Sequence, residues 1–313
     1  MKMLNKAVDD FFELRRGLGF KLERNETRVR QFLVFLRNKK TTRITANLAL
    51  QFATQPPELA AHTKFNRLAA VRDFARYYRT LDPATEIPPL GLLPTGARRI
   101  PPYLYSKAEI RQILKAAKNY PSPHRFHAWT YYCVLGLLAV TGMRVSEVLN
   151  LPLQSVDWSR RYLTIHHAKF GKSRLVPLHR STLKVLASYM KHRKRFFAQR
   201  PHLPSSHFFV TSHGTRLGHR HLTTVFHGIS RKIGLRAPGD RRGPRLHDLR
   251  HRFAVETLLR WYRQGQPVDA RLPVLSTYLG HTNVSGTYWY LSCTPELMVA
   301  AGRRVEKRWR GMQ

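Results

Sequence analysis

Four short segments of the sequence carry side chains of the kinds that act on phosphate esters. In the first, Arg144 follows a glycine at the end of an apolar run, and the second contains Lys169 in a polar turn. The third, residues 247–251, reads His-Asp-Leu-Arg-His, and the fourth places Tyr290 nine residues after His281. Guanidinium groups offer planar forks to phosphate oxygens, and a tyrosine oxygen can attack phosphorus once its proton is removed. The set predicts phosphoryl transfer in which side-chain cations, with no metal ion, neutralise the developing charge.

Some of these residues have neighbours of the same type. Lys172 could protonate a leaving oxygen as well as Lys169 could, by chemistry alone. His247 and His251 form an i, i+4 pair of the kind that binds zinc on a helix. Residue 248 is not the glutamate of such motifs, and no third ligand is indicated, so no metal site is predicted.

The surrounding pattern predicts the elements that must position these residues. The apolar stretch 129–140 is too short to span a bilayer and predicts a buried helix that ends at Thr141–Gly142. Strands are predicted at 162–166 and 173–178, with the Lys169 turn between them. Ser106 followed by Glu109 predicts a capping box at the start of a helix. Further helices are predicted over 182–197, 219–233 and 247–263.

Prolines divide the chain into two parts. Residues 86–105 are rich in proline and glycine and predict a linker. Residues 1–85 show helical spacing of apolar side chains with interleaved arginines, which predicts a small helical domain that binds DNA. The alternative is a plain helical bundle with a solvated arginine face. Residues 106–313 mix helices with a hairpin and end in a basic segment, which predicts the catalytic domain. The apolar positions of the first predicted helix are Phe11, Phe12, Leu14 and Leu18.

The charge balance indicates the partner. The chain has 55 Lys and Arg but only 18 Asp and Glu, for a net charge of +37. A surface so positive attracts a polyanion, and DNA or RNA releases counterions when such a surface neutralises its phosphates. The alternatives are an anionic membrane surface and an RNA contact of the ribosomal type. Only two cysteines occur, Cys133 and Cys293, and the N-terminus lacks an apolar signal segment. These features predict a soluble cytoplasmic protein without a disulfide framework.

At the residues above, the chain resembles the tyrosine recombinase family, which includes phage integrases and Xer-type enzymes. The resemblance covers roughly residues 106–301, and the order Arg, Lys, His-x-x-Arg, His, Tyr matches throughout. The register of the family's hairpin favours Lys169 over Lys172. The resemblance implies a supporting role for Glu147 and the following catalytic residues: Arg144, Lys169, His247, Arg250, His281 and Tyr290.

The last segment contains another tyrosine, Tyr288, besides the proposed nucleophile. Tyr288 lies two residues before Tyr290, and in a helical turn the two side chains would point in different directions. The nine-residue step from His281 matches the family at Tyr290. Tyr288 and Trp289 are therefore predicted to be packing residues.

The resemblance also implies a fold and a reaction. The fold would be mostly helical with a small β-sheet in the catalytic domain, and its two domains would close as a C-shaped clamp on double-stranded DNA. Cleavage would leave a 3′-phosphotyrosine and a free 5′-hydroxyl without any cofactor. Four protomers, identical or paired with a related recombinase, would exchange strands through a Holliday junction at the nucleoid. A C-terminal helix beginning near Pro295 would dock on a neighbouring protomer or pack within its own domain.

Several functions share these features. The high charge and the Tyr-Trp-Tyr-Leu ending of residues 272–291 favour a recombinase that integrates or transposes a mobile element. An Xer-like resolvase of chromosome or plasmid dimers is the alternative within the same chemistry. A catalytically inactive DNA-binding relative is disfavoured because each expected catalytic residue is present. A type IB topoisomerase is disfavoured by the small chain and the helical front part.

Overall fold

A computed structural model describes residues 1–20, 22–95, 101–122, 125–166, 173–200, 205–240, 243–281, 283–292 and 294–310. The chain forms two compact units, Met1–Ile100 and Pro101–Gln313. Most of the described residues are helical, and a three-stranded antiparallel sheet lies in the second unit. None of the described helices is both long and apolar enough to cross a membrane.

The first unit is a bundle of helices around aromatic side chains. Its helices are α1 (Lys2–Gly17), α2 (Glu23–Asn38), α3 (Ala46–Thr54) and α4 (Ala61–Tyr78). Phe11 packs edge-on against both Phe12 and Phe74, with ring centroids 4.9 and 5.8 Å apart. Such contacts add to the burial of apolar area that stabilises the bundle.

One detail of the predicted first helix is wrong. The buried stripe of α1 consists of Leu4, Ala7, Val8, Phe11 and Phe12, whereas Leu14 and Leu18 are exposed. On a helical wheel these five residues cover one arc, and position 14 falls just outside that arc. Position 18 follows the last helical residue.

Hydrogen bonds hold the proline-rich stretch near its beginning, within the first unit, and near its end, within the second unit. In the first unit the buried guanidinium of Arg72 donates to the carbonyls of Pro88 and Pro89, at 2.7 and 2.9 Å. In the second unit Tyr105 donates its hydroxyl hydrogen to the Arg245 carbonyl, at 2.9 Å. The backbone of residues 101–106 is thereby attached to the segment that precedes His247.

The second unit is built around one buried helix. Its α-helices are α5 (Lys107–Lys118), α6 (Phe126–Thr141), α7 (Val145–Leu149), α8 (Arg180–Ala198), α9 (His219–Lys232), α10 (Asp248–Arg263), α11 (Val268–Leu279), α12 (Ser285–Tyr288) and α13 (Pro295–Arg310). The predicted buried helix is α6, which packs against α5, α8 and α10 and carries buried residues on every face. The predicted helices 182–197, 219–233 and 247–263 are confirmed to within two residues at each end.

The predicted capping box is also present. Ser106 Oγ accepts a hydrogen bond from the Glu109 amide at 3.1 Å, and the Glu109 carboxylate accepts one from the Ser106 amide at 2.6 Å. Two donors that the first turn of α5 would otherwise leave unpaired are satisfied in this way.

The sheet contains one strand more than the predicted hairpin. The hairpin strands are β2 (Tyr162–Ile165) and β3 (Arg174–Pro177), and the pair Ile165–Arg174 closes the described part of their ladder. The added strand, β1 (Val156–Asp157), pairs with β2 on its other side. Two residues are too few to show alternation in a sequence. The turn that carries Lys169 and Lys172 lies outside the described residues.

Candidate active site

Arg144 is placed by a glycine break between α6 and α7. Gly142 ends α6 in the left-handed conformation at φ 61°, and a Cβ atom there would lie 2.5 Å from the Phe253 ring. Arg144 then adopts an extended conformation as the N-cap of α7, and its amide donates to the Glu147 carboxylate at 2.8 Å. Only glycine allows this close turn. The turn therefore fixes where the Arg144 side chain begins.

Glu147 is a buried carboxylate shared by two arginines. Its side chain is 6% exposed, and it accepts from Arg144 Nη1 at 2.9 Å. Arg174 binds it with both terminal nitrogens, at 2.9 and 2.7 Å. Burial alone would raise the pKa of the Glu147 carboxyl, but the hydrogen bonds and charge of Arg174 and then Arg144 outweigh burial and lower it. Glu147 is therefore a fixed anion at neutral pH.

The C-terminal end of α11 binds three guanidinium groups. The last carbonyls of a helix have no partner within it and carry its negative partial charge. Here three successive carbonyls each accept from a different arginine: Tyr278 from Arg174 at 2.8 Å, Leu279 from Arg250 at 2.6 Å, and Gly280 from Arg144 at 2.6 Å.

Arg250 is held more deeply than Arg144. It is buried on α10, and its Nη1 donates to the Gly142 carbonyl at 2.9 Å, which ties it to the glycine break. Burial and then the charge of Arg144 lower the pKa of Arg250 to about 10, so it keeps its charge at neutral pH. We call Arg144, Arg174, Arg250 and Glu147 the arginine side of the site.

Aromatic and imidazole rings face the arginine side. The Tyr290 ring stacks on His281, with centroids 6.2 Å apart and planes 18° apart, and lies 5.5 Å from His251. His251 meets His247 edge-on at 4.7 Å. His281 Nδ1 forms a 2.7 Å hydrogen bond with the buried hydroxyl of Thr287. We call His247, His251, His281 and Tyr290 the ring side.

The pKa values of the three imidazoles are all lowered, which favours their neutral forms at pH 7. Burial and then the charge of Arg250 lower the pKa of His281 to about 4. Burial and then His247 lower the pKa of His251 to about 4. Burial of the imidazole and then the charge of Arg250 also lower the pKa of His247, although the residue as a whole is exposed. Neutral imidazoles can accept a proton from one neighbour and donate one to another.

The two tyrosines have opposite environments. Tyr290 is 2% exposed and lies in a short 3-10 turn, Trp289–Ser292, that follows α12. Tyr288, at the end of α12, is 54% exposed. The predicted difference in direction is confirmed, whereas the prediction that Tyr288 packs is wrong. The four-residue helix leaves the Tyr288 side chain largely in solvent, while Trp289 packs with the apolar cluster around Tyr290.

Comparison with known proteins identifies the family. Residues 104–296 match the model of the phage integrase family. The chain belongs to that family. It is 46% identical over 312 residues to a putative integrase/recombinase of Sinorhizobium fredii, y4rB, covering 99% of each chain. It is 29% identical over 239 residues to the tyrosine recombinase XerD of Caulobacter vibrioides, covering 74% of this chain and 71% of the relative.

A solved structure extends the likeness to the fold. The Tn1549 transposon integrase, in complex with a circular intermediate DNA, gives a TM-score of 0.63 at 14% identity. The match covers 96% of this chain and 99% of that chain. The protein thus has the tyrosine recombinase fold, and the general activity of its family is site-specific recombination.

In this tyrosine recombinase, five of the six predicted catalytic residues lie in the described part, on the two sides defined above. Lys169 and its alternative Lys172 lie outside it. Among the described residues, no three His, Cys, Asp or Glu side chains are grouped so that they could hold a metal ion.

Two further residues of the site were missed by the sequence reasoning. His251 entered only as a partner in a zinc pair, yet its ring lies beside Tyr290. The signal was available, because residue 251 is one helical turn after His247. Arg174 looked like one cation among many at the start of a strand. Its role depends on contacts with Glu147, 27 positions earlier in the chain, and with Tyr278, 104 positions later. No local pattern reveals partners so far away.

Proposed function

We propose that the protein is a site-specific DNA recombinase that cleaves and rejoins strands through a 3′-phosphotyrosine at Tyr290. One observation carries the proposal. Arg144 and Arg250, more than 100 residues apart, bind the adjacent carbonyls of Gly280 and Leu279. The next residue along the chain is His281, whose ring stacks on Tyr290. Two phosphate-binding groups and a nucleophile are thus assembled around one helix end.

The reaction follows from these positions. Arg144 and Arg250 bind the non-bridging oxygens of the scissile phosphate and neutralise the charge that develops on them. The Tyr290 oxygen forms a bond to phosphorus while the bond from phosphorus to the 5′ oxygen breaks. A neutral imidazole, His281 or His247, takes the phenol proton. Lys169 protonates the departing 5′ oxygen.

The same steps in reverse rejoin the strand. A 5′-hydroxyl attacks the phosphotyrosine and Tyr290 leaves, so the energy of the phosphodiester bond is conserved. Because two guanidinium groups supply the positive charge, the proposed reaction needs no metal ion. Buried Glu147 keeps Arg144 directed towards the site by a 2.9 Å hydrogen bond.

Duplex DNA is the proposed substrate. Residues 101–313 contain 36 Lys and Arg against 9 Asp and Glu, and residues 1–100 contain 19 against 9. Both units therefore contribute positive charge for phosphate contacts. The likeness to an integrase solved with DNA supports the same assignment.

The test uses a nicked duplex taken from the ends of the genetic element that encodes the protein. The protein is incubated with it in EDTA, covalent complexes are trapped on a denaturing gel, and the linked peptide is mapped. Wild-type protein is expected to form an adduct at Tyr290. Tyr290→Phe is expected to lose the adduct and keep its DNA affinity, because it loses a nucleophile and no charge.

The matched control is Tyr288→Phe, which removes a hydroxyl two residues away from an exposed ring. It is expected to retain the adduct. An adduct mapped to Tyr288 would overturn the nucleophile assignment. Tight DNA binding by wild-type protein with no adduct on cognate ends would favour the inactive DNA-binding relative instead.

The biological role we propose is the integration or excision of a mobile element. The likeness to a transposon integrase over nearly the whole of both chains favours it. The 29% identity to XerD keeps dimer resolution as the second candidate. Two reporter plasmids separate them, one with the element's ends flanking a marker and one with a chromosomal dimer-resolution site. Excision of the marker supports the first role, and recombination confined to the chromosomal site supports the second.

Assembly on DNA is proposed to use α13. Leu297 anchors this helix in its own unit, whereas Met298, Val299, Val305 and Trp309 are exposed. An exposed apolar stripe of this kind suits a neighbouring protomer in a tetramer. Met298→Asp with Val299→Asp is expected to preserve binding to a single half-site and to abolish the four-protomer complex on a four-way junction. Unchanged assembly on a native gel would exclude α13 as the interface.

A further inference from the structure

A third guanidinium group lies behind the proposed phosphate clamp. Arg174 begins β3, and its side chain is only 10% exposed. Its Nε donates to the Tyr278 carbonyl at 2.8 Å, and its two terminal nitrogens donate to the two oxygens of Glu147. All three nitrogens of Arg174 are thus engaged within the protein. Because Glu147 occupies its bidentate fork, Arg174 is suited to supporting the clamp.

The fork of Arg174 fixes the plane of the Glu147 carboxylate. A bidentate pair between a guanidinium and a carboxylate defines orientation as well as distance. In that orientation Oε1 accepts from the Arg144 side chain at 2.9 Å, while Oε2 accepts from the Arg144 amide at 2.8 Å. Arg174 therefore determines, through Glu147, both the backbone and the side-chain position of Arg144.

The same side chain also contacts the segment that leads to the nucleophile. Gly280 lies two residues after Tyr278, whose carbonyl Arg174 binds, and its φ of +71° turns the chain towards His281. A Cβ atom at Gly280 would lie 2.8 Å from Arg174 Nη1 and 3.2 Å from Arg144 Nη1. The two guanidiniums thus pack directly against the backbone at this turn. Arg174 connects β3, α7 and the C-terminal end of α11.

We propose that Arg174 is a positioning residue that holds Glu147 and the end of α11 so that Arg144 is directed at the scissile phosphate before DNA arrives. The proposal rests on the recombinase function proposed above. A clamp that is already ordered avoids the cost of ordering it in the transition state. Loss of Arg174 should consequently slow cleavage without weakening DNA binding.

The main test compares Arg174→Lys with wild-type protein. Lysine keeps the positive charge but cannot make a planar fork with Glu147 together with a third bond to Tyr278. Single-turnover adduct formation at saturating nicked duplex is expected to slow by about 100-fold, as for a catalytic group displaced by about 1 Å. The equilibrium Kd for the same duplex is expected to stay unchanged. The matched control, Arg160→Lys, alters an exposed arginine beside the same sheet and is expected to behave as wild type.

Two readouts separate positioning from a merely structural role. A duplex with a bridging 5′ sulfur needs no proton on its leaving group, so the defect of Arg174→Lys should persist with it if the phosphate clamp is at fault. If Arg174 acts through Glu147, Glu147→Gln should add little further loss to Arg174→Lys, because one pathway is already broken. The proposal would be overturned if Arg174→Lys lost DNA affinity as strongly as it lost cleavage rate. It would also be overturned if the losses of cleavage rate in Arg174→Lys and Glu147→Gln simply added in the double variant.

A measurement without DNA distinguishes this proposal from the function on which it rests. In ¹⁵N-labelled protein the Nε–H signal of Arg144, assigned with Arg144→Lys, should be sharp in wild type and broadened in Arg174→Lys. Absence of any adduct from wild-type protein, together with that broadening, would count against the proposed recombinase activity and support the positioning. An unchanged Arg144 signal, or a wild-type cleavage rate in Arg174→Lys, would overturn the positioning.

Discussion

The arginine side and the ring side of the site are held by different forces. On the arginine side, short hydrogen bonds run from guanidiniums to a buried carboxylate and to the carbonyls at one helix end. On the ring side, stacked and edge-on rings surround Tyr290, and one hydrogen bond to Thr287 fixes an imidazole. Directional bonds hold a charge in a fixed orientation, whereas neutral imidazoles can exchange protons. In the proposed reaction, the first side binds phosphate and the second moves protons.

Apart from removal of the proposed nucleophile Tyr290 itself, the largest effect on cleavage is expected from the arginine side. Arg250→Ala should lower the rate of adduct formation by about 10²–10³-fold, similar to the loss of one oxyanion donor. It also leaves the Gly142 and Leu279 carbonyls without their partner, so the fold is checked by circular dichroism and Arg250→Lys is measured beside it. Arg260→Ala, on an exposed face of the same helix, removes an equal charge and should have little effect. Equal rates for the Arg250 and Arg260 variants would refute the proposed role of Arg250.

A smaller effect is expected where the two sides join. Gly280→Ala should cost about 1–2 kcal/mol of folding free energy, because its φ of +71° disfavours a side chain. It should also slow cleavage, because the new methyl group would displace Arg174 and Arg144. Gly265→Ala is the control, with φ +65° and open space around the added atom. Urea unfolding should show a loss for both variants that is larger for Gly280→Ala, and a cleavage assay should show a loss for Gly280→Ala alone. Equal cleavage by the two would mean that the clash with the arginines has no consequence.

On the ring side, single contacts should matter less. Thr287→Val removes the hydroxyl that hydrogen-bonds His281 and keeps the shape of the side chain. The expected cost is about 1 kcal/mol, or about a five-fold slower cleavage, because one hydrogen bond orients the imidazole. Thr80→Val, at an exposed position of the first unit, provides the comparison. A loss as large as that of Arg250→Ala would show that the ring side is as dependent on directional bonds as the arginine side.

The last expected effect concerns stability and not cleavage: the free energy of unfolding should depend on pH through the ring side. The pKa values of His251 and His281 are lowered to about 4 in the folded protein, below the ordinary value of about 6.5. Between these values the unfolded chain binds more protons, so stability is full above about pH 6.5 and falls as the pH drops towards 4. His281→Asn should reduce the difference between the free energies of unfolding at pH 7.5 and pH 5, as measured by urea unfolding. The control His62→Asn changes an exposed histidine of the first unit. An equal reduction of the pH dependence in this variant would show that the ring side is not its source.

Sequence patterns were most successful where the chemistry is local. The glycine break before Arg144, the Ser106 capping box and the three long helices depend on neighbours within a few residues, and all are present. Failures came where burial depends on distant partners. Leu14 fits a helical period but lies outside the buried stripe, and Tyr288 is aromatic but exposed.

By itself, the sequence determined the reaction chemistry to expect, because that expectation depends only on which residue types occur and in what order. It also determined a basic, mostly helical chain, since charge and apolar period are properties of the sequence. Only the tertiary structure decided that Arg174 and His251 belong to the site and that three arginines meet at the end of α11. Carbonyl groups are the same in every residue, so a pattern of side chains carries no sign of which carbonyls a guanidinium will bind. That choice is made when β3, α7, α10 and α11 pack together.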